Sequence, residues 1–158
     1  MSGNDCKRFI ADVMVGRLAR YLRMAGYDVA YSNEADDDEI LEKARKENRI
    51  VLTRDTMMLK RRDFSRGVLR SVYIADDNLK KQLLQIMSCL DLKLEPNLIR
   101  CLECNSPLEE VRKADLEGRV PPYVFKTQDD FSYCPRCKKY YWRGTHFDYM
   151  KKYFSDLV

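Results

Sequence analysis

Two sets of residues in this chain have the types and spacing to do chemistry. The first is cysteine. Four of the six cysteines form two CxxC pairs, Cys101/Cys104 in RCLECNSPL and Cys134/Cys137 in SYCPRCKKYYW, with 29 residues between the pairs. Each CxxC bend presents two thiolates from one tight turn, and two bends complete a tetrahedral Zn²⁺ shell with no open position. A closed shell makes the expected zinc structural, supplying a core that some 60 residues would struggle to build alone. A redox-active CxxC needs only one pair in a thioredoxin-like context, so two pairs in a turn-rich segment favour the metal. Cys6 and Cys89 stand alone, and Cys89 reads as a small buried hydrophobe in an apolar helical pattern.

The second set is acidic. Asp12 follows the apolar run RFIA, Asp55 follows IVLT, and Asp76 and Asp77 follow VYIA, while Asp36-Asp37-Asp38-Glu39 opens a helical pattern. In an open parallel sheet, ligands gather beyond the carboxyl ends of the strands. Carboxylates brought together there repel, raise one another's pKa and need a cation to be stable. Mg²⁺ or Mn²⁺ suits an all-oxygen site and is the usual apparatus of phosphodiester hydrolysis. Each acid taken singly has a plainer reading: Asp36 or Asp37 as a helix N-cap, Asp76 or Asp77 as another, Asp12 as an arginine partner.

The elements that must position these groups are legible in the apolar periodicity. Strands are expected at 8–13, in DVAYS, in RIVLT and in VLRSVYIA. A first helix carries the stripe Val15, Leu18, Ala19, Leu22 and Ala25, with Arg17, Arg20 and Arg23 outside it and Gly26 as its stop. A second turns Ile40, Leu41 and Ala44 inward, MMLKRRDFSRG is a short helix and loop, and Leu79, Leu83, Ile86 and Leu90 mark a closing helix. Strands alternating with helices imply an α/β unit around a mostly parallel sheet. After LKLEPN the chain becomes turn-rich, so the expected boundary lies near Pro96: an α/β domain at 1–96 and a zinc-ribbon domain at 97–158.

The bulk properties exclude several classes. With 45% apolar and 34% charged residues the chain is globular rather than disordered. No apolar run approaches the roughly 20 residues of a membrane helix, and MSGNDCKRF lacks the apolar core of a signal peptide, so a cytoplasmic location is expected. The net charge of +4 permits a nucleic-acid partner without demanding one, so clustering matters more than the total. Arg17 and Arg20 follow Asp12, and Arg54, Lys60, Arg61 and Arg62 flank or follow Asp55, placed to neutralise phosphates along a bound strand or to form a solvated face. In CPRCKKYYWRG, Lys138, Lys139 and Arg143 interleave with Tyr140, Tyr141 and Trp142, a composition that stacks unpaired bases or packs over a small zinc core. The single histidine, His146, excludes a multi-histidine metal site.

In order and at fitting spacing, FIADVMVGRLARYLRMAGYD, DDDEILEKARKENRIVLTRD, YIADD, KKQLL, RCLECNSPL and YCPRCKKYYWRGTHF resemble the predicted RNase family typified by the C-terminal domain of the Mutator-seven exonuclease, over about residues 8–154. The resemblance implies a PIN-like domain joined to a zinc ribbon, an acidic Mg²⁺/Mn²⁺ site and RNA as partner, single-stranded in the main. Carried over position by position, it implies Asp12, Asp37 (with Asp38 next), Asp55 and Asp76 (over Asp77) as the site acids. The expected activity is a metal-dependent ribonuclease with a structural zinc ribbon that helps hold RNA. A non-catalytic RNA-binding or ribosome-associated adaptor on the same scaffold is the competing expectation.

Overall fold

The computed structural model describes residues 7–157, so Cys6 lies outside it. Strands β1 (Arg8–Ala11), β2 (Asp28–Tyr31), β3 (Ile50–Thr53) and β4 (Ser71–Tyr73) form one parallel sheet in the order β2-β1-β3-β4. Between and after them run α1 (Gly16–Met24), α2 (Asp37–Glu47), α3 (Arg62–Ser65) and α4 (Leu79–Leu90). The remainder comprises β5 (Glu109–Val111), α5 (Pro122–Thr127), β6 (Phe131–Cys134), β7 (Lys139–Trp142) and α6 (Thr145–Ser155), with β5-β6-β7 as an antiparallel sheet.

Helices cover the parallel sheet on both faces, and the period-2 alternation of the strands assigns the side chains. Phe9, Ala11, Val29, Ile50 and Leu52 face a core shared with Leu18 and Leu22 of α1 and Leu83 and Ile86 of α4. Ile10, Ala30 and Val51 face the other way, against Ile40, Leu41 and Ala44 of α2. This two-sided burial is why the central strands are continuously apolar instead of alternating with polar residues. Gly26 ends α1 with φ +89°, and the Asn97 amide sits where its Cβ would be, 2.4 Å from the ideal position. The chain after Pro96 therefore packs directly against the end of α1. Helix α6 extends the contact: Phe147, Met150, Phe154 and Leu157 enter the same core as Leu18 and Leu22, and Phe154 meets Tyr21 edge-on at 6.0 Å. At about 1.5–3 kcal/mol per large buried side chain, this docking is a substantial part of the fold's stability. No helix among the described residues is long and apolar enough to cross a membrane.

Several boundaries differ from expectation. Strand β1 ends at Ala11, two residues early, because Asp12 Oδ1 accepts the Met14 N–H and folds Val13–Val15 into a 3₁₀ turn before α1. Strand β4 has three residues, since Val68 is exposed beside Gly67 in a left-handed turn. Asn78, not Asp76 or Asp77, caps α4 by accepting the Lys81 N–H at 3.1 Å. Cys89 is exposed rather than buried: the buried run of α4 stops at Ile86, and the last turn leaves the core. Arg23, assigned outside the apolar stripe of α1, is only 4% exposed.

Candidate functional site

The strand ends and helix starts on one edge of the sheet determine where the acids stand. Asp12 follows β1 directly, donates its N–H to Leu52 O and is 4% exposed. Asp55 lies two residues past β3, where its Oδ1 accepts the N–H of Met57 at 2.9 Å and of Met58 at 3.3 Å. Thr53, fully buried, ties the two together: its hydroxyl donates to Asp12 Oδ2 and accepts the Asp55 N–H at 2.9 Å. At the start of α2, Asp36 takes the capping role, accepting the Glu39 N–H at 2.9 Å. That leaves Asp37 half-buried with its carboxyl pushed above the usual carboxylate range. Partial burial is the largest cause, followed by the charge of Asp55; Arg61 opposes it, and Asp12 and Asp38 add to it. Asp38 turns outward, its side chain 82% exposed and paired with Arg61 at 2.5 Å.

Asp12, Asp37 and Asp55, from three different elements, thus share one field of negative charge. Asp76, the fourth expected acid, has partners of its own. Its carboxylate accepts the Asn78 N–H at 2.8 Å and faces Lys81 at 3.6 Å, and that N–H is the largest cause holding it below the usual range. The three neighbouring acids are an all-oxygen donor set of the kind hard cations take. Their oxygens stand wider apart than the thiols: among the described residues, only the cysteines form a group of three or more ligand atoms all within 4.8 Å of one another. Mg²⁺ and Mn²⁺ sites commonly keep several waters, which can span such spacing.

The Thr53 link gives a direct expectation. Thr53→Val keeps the side-chain shape but leaves buried Asp12 Oδ2 without its donor, at a cost of about 1–3 kcal/mol. Thr53→Ser restores most of it. Urea unfolding of the two variants tests this, and an unchanged midpoint for Thr53→Val contradicts it.

Cys101, Cys104, Cys134 and Cys137 converge on a second centre, with their Sγ atoms mutually within 4.8 Å. The two knuckles share one construction. Each first cysteine carbonyl accepts the N–H four residues on, Asn105 at 2.9 Å and Lys138 at 2.7 Å, and both of those residues are left-handed, with φ of 72° and 58°. The thiols strongly perturb one another. At Cys104 burial opposes ionisation, yet contacts with Ser106 and the neighbouring thiols bring the pKa down to about 6. Interaction with Cys104, reinforced by burial, raises Cys137 to about 12. Such a cluster cannot ionise fully by itself, and it could hold a metal such as zinc.

Two residues, Arg23 and Asn105, fasten this centre to the α/β layers, and a third, Tyr141, ties the first knuckle to β7. Arg23 donates to the carbonyls of Val29, Leu102 and Glu103 at 2.9, 3.0 and 3.2 Å. Asn105 receives the Val29 N–H and donates to Asp28 Oδ1, which Arg49 also binds at 2.7 Å. The Tyr141 hydroxyl accepts the Leu102 N–H and lies 3.2 Å from Cys101 Sγ. Sequence reasoning gave packing over the zinc core as one of two readings for Tyr141 and assigned neither Arg23 nor Asn105 this role. For Arg23 the signal was its spacing, four residues after Ala19 and one after Leu22, which puts it at the margin of the apolar stripe. The knuckle sits at the amino end of β2, whereas the acids occupy the carboxyl edge, about 10 Å away along a four-residue strand.

The basic candidates are dispersed. Arg17, Lys60, Arg62 and Lys138 are exposed, and Arg61 pairs with Asp38. Arg54 reaches only the Ile74 carbonyl at 3.5 Å. Glu103 accepts both Arg20, at 2.8 Å, and Lys139, at 3.7 Å. Trp142 is half-buried against Phe131, and Arg143 lies over the Phe147 ring at 5.0 Å. A family model described as the Mut7-C RNAse domain matches residues 7–154. No curated protein and no solved structure matches the chain.

Proposed function

Because the chain belongs to the Mut7-C RNAse domain family, we propose that it is a metal-dependent ribonuclease cutting single-stranded RNA internally. The observation that carries this reading is the convergence of Asp12, Asp37 and Asp55 from three elements on one edge of the sheet, where partial burial first, and then the charge of Asp55 and Asp12, raise the Asp37 carboxyl. In this reading those three acids hold one or two Mg²⁺ or Mn²⁺ ions at the carboxyl edge of a PIN-like domain, residues 1–96. Asp76 borders the site. Cys101, Cys104, Cys134 and Cys137 hold a structural Zn²⁺ in a ribbon domain, residues 97–158, and the protein works in the cytoplasm.

A bound Mg²⁺ or Mn²⁺ supplies an acidified water and stabilises charge developing on the phosphate. The chain's own residues prepare the ground. Thr53 holds Asp12 and the Asp55 backbone in fixed register, so the two carboxylates are organised before any ion arrives. Asp37 would be the third carboxylate to hold the cation, and its charge is the one its surroundings disfavour until a cation is present. Arg17, Arg54, Lys60 and Arg62 offer the strand cationic contacts, with Arg61 available if it leaves Asp38.

The raised Asp37 pKa fixes a sign. A group whose folded pKa lies above its unfolded value favours the fold at low pH, and that contribution fades as pH rises through the folded pKa. Deprotonated Asp37 is both the destabilising and the metal-binding form. Mn²⁺ should therefore raise Tm clearly at pH 7 and hardly at roughly pH 4, where Asp37, its carboxyl raised by burial and by the charge of Asp55, takes up a proton. A Mn²⁺-induced shift independent of pH, read by calorimetry, contradicts this.

One observation favours the second reading, an RNA-binding or ribosome-associated adaptor without turnover. Asp12 and Asp55 already accept backbone N–H groups from their own turns, as structural caps do. An adaptor retains RNA with a steep salt dependence and leaves it intact when Mn²⁺ is added.

A further inference from the structure

Between α1, the first knuckle and β7 lies a groove of about 430 Å³, a size that suits a small ligand. Its composition is not that of a packing defect. Arg20, Arg119 and Lys139 line it against one carboxylate, Glu103, so positive charge is in excess. Tyr140 and Trp142 supply aromatic surface, and Leu102 and Phe147 an apolar lining. Arg119 is exposed, and its guanidinium donates to the Tyr140 hydroxyl at 3.5 Å. Gly144 leaves room for the indole: a Cβ there would lie 2.9 Å from Trp142 Nε1.

Trp142 packs on Phe131 at 6.2 Å and Tyr140 on Tyr133 at 4.9 Å, which fixes both rings while part of each still lines the groove. Cations beside such fixed rings match an unpaired nucleotide, whose base meets the ring while its phosphate meets arginine or lysine. An acidic peptide would use the charges and leave the rings idle. The groove opens at the far end of α1 from the acids, where Arg20 and Met24 meet the first knuckle. Helix α1 starts at the Asp12 turn, and Arg17 and Arg20 follow on neighbouring helical positions, with Arg20 about 6 Å along the axis from Gly16. We infer that this groove is a nucleotide subsite, separate from the acids, which holds one unpaired base of the RNA on Trp142 and Tyr140 and its phosphate on Arg119 and Lys139. The inference rests on the reading of RNA as substrate and names where a strand leaving the acids is held.

Trp142 is the single tryptophan of the chain and lines both this groove and a neighbouring one beside Phe131 and Arg143, so Arg119, which lines only the first of the two, assigns the emission change. The zinc-loaded full chain, without added Mg²⁺ or Mn²⁺, is titrated with adenosine monophosphate, a single-stranded oligouridylate, duplex RNA and polyglutamate. Expected is saturable quenching by the first two, with duplex RNA and polyglutamate ineffective. Arg119→Ala, an exposed change, weakens the oligonucleotide about tenfold, and Trp142→Phe weakens a labelled oligonucleotide comparably by anisotropy. Emission that ignores single-stranded RNA, or responds equally to polyglutamate, overturns the subsite. The two readings separate cleanly. Cleavage of RNA without a Trp142 response leaves the nuclease and removes the groove. A response that survives in Asp55→Asn, with no cleavage by the wild type, does the reverse.

Discussion

Replacing Asp55 by Asn abolishes Mn²⁺-dependent RNA cleavage, a loss of more than about 100-fold, and leaves the protein folded. The asymmetry follows from what the two carboxyl oxygens do. Asparagine keeps an Oδ1 that can accept the N–H groups of Met57 and Met58, so the turn after β3 retains its cap. It loses the negative charge that the acid shares with Asp12 and Asp37. Removing a partner that merely orients a metal ligand already costs 10–100-fold in affinity or activity, and a ligand itself should cost more. Asp55→Ala is the informative contrast, because it loses the cap as well and should forfeit about 1 kcal/mol of stability. Cleavage assays with matched urea unfolding curves test both. Full activity in Asp55→Asn would remove this acid from the mechanism.

The second large effect concerns zinc. Cys134→Ser, or a strong chelator, should unfold the 101–142 segment and lower overall stability by more than about 3 kcal/mol. Cys101 and Cys134 are buried, and the segment has only a small core of its own, built on Leu116, Val120 and Phe131. The loss should spread. Arg23, buried against the knuckle carbonyls, would lose those acceptors, and α6 would lose the sheet that leads into it. One zinc per chain by elemental analysis, together with a chelator-dependent Tm, is the expected result. A chain that carries no zinc and melts unchanged as Cys134→Ser contradicts it.

What could be read from residues alone was what local pattern encodes. The continuous apolar runs Phe9-Ile10-Ala11 and Ile50-Val51-Leu52, the stripe of α1 and its stop at Gly26 all follow from apolar spacing and one left-handed glycine. The two CxxC bends carry their chemistry in their spacing. What escaped depends on contacts distant in sequence. Arg23 meets carbonyls 79 and 80 residues away, Asn105 bonds Asp28 across 77, and Glu103 gathers Arg20 and Lys139 from both sides of the chain. The acids divide in the same way. Three acids after strands and one opening a helix look alike in sequence, yet Asp37 feels the charge of its neighbours while Asp76 has the Asn78 N–H and Lys81 as partners. The Thr53 hydroxyl that joins Asp12 to the Asp55 backbone appears only once β1 and β3 lie side by side.

The central claim is that repulsion among Asp12, Asp37 and Asp55 prepares a cation site. The most direct measurement is the anomalous diffraction of crystals soaked in Mn²⁺. The account predicts a Mn²⁺ peak bridged by the carboxylates of Asp12 and Asp55, with Asp37 bound directly or through water, and no peak there in Asp55→Asn crystals. A clean map at that edge, with Mn²⁺ absent at saturating concentration, contradicts it.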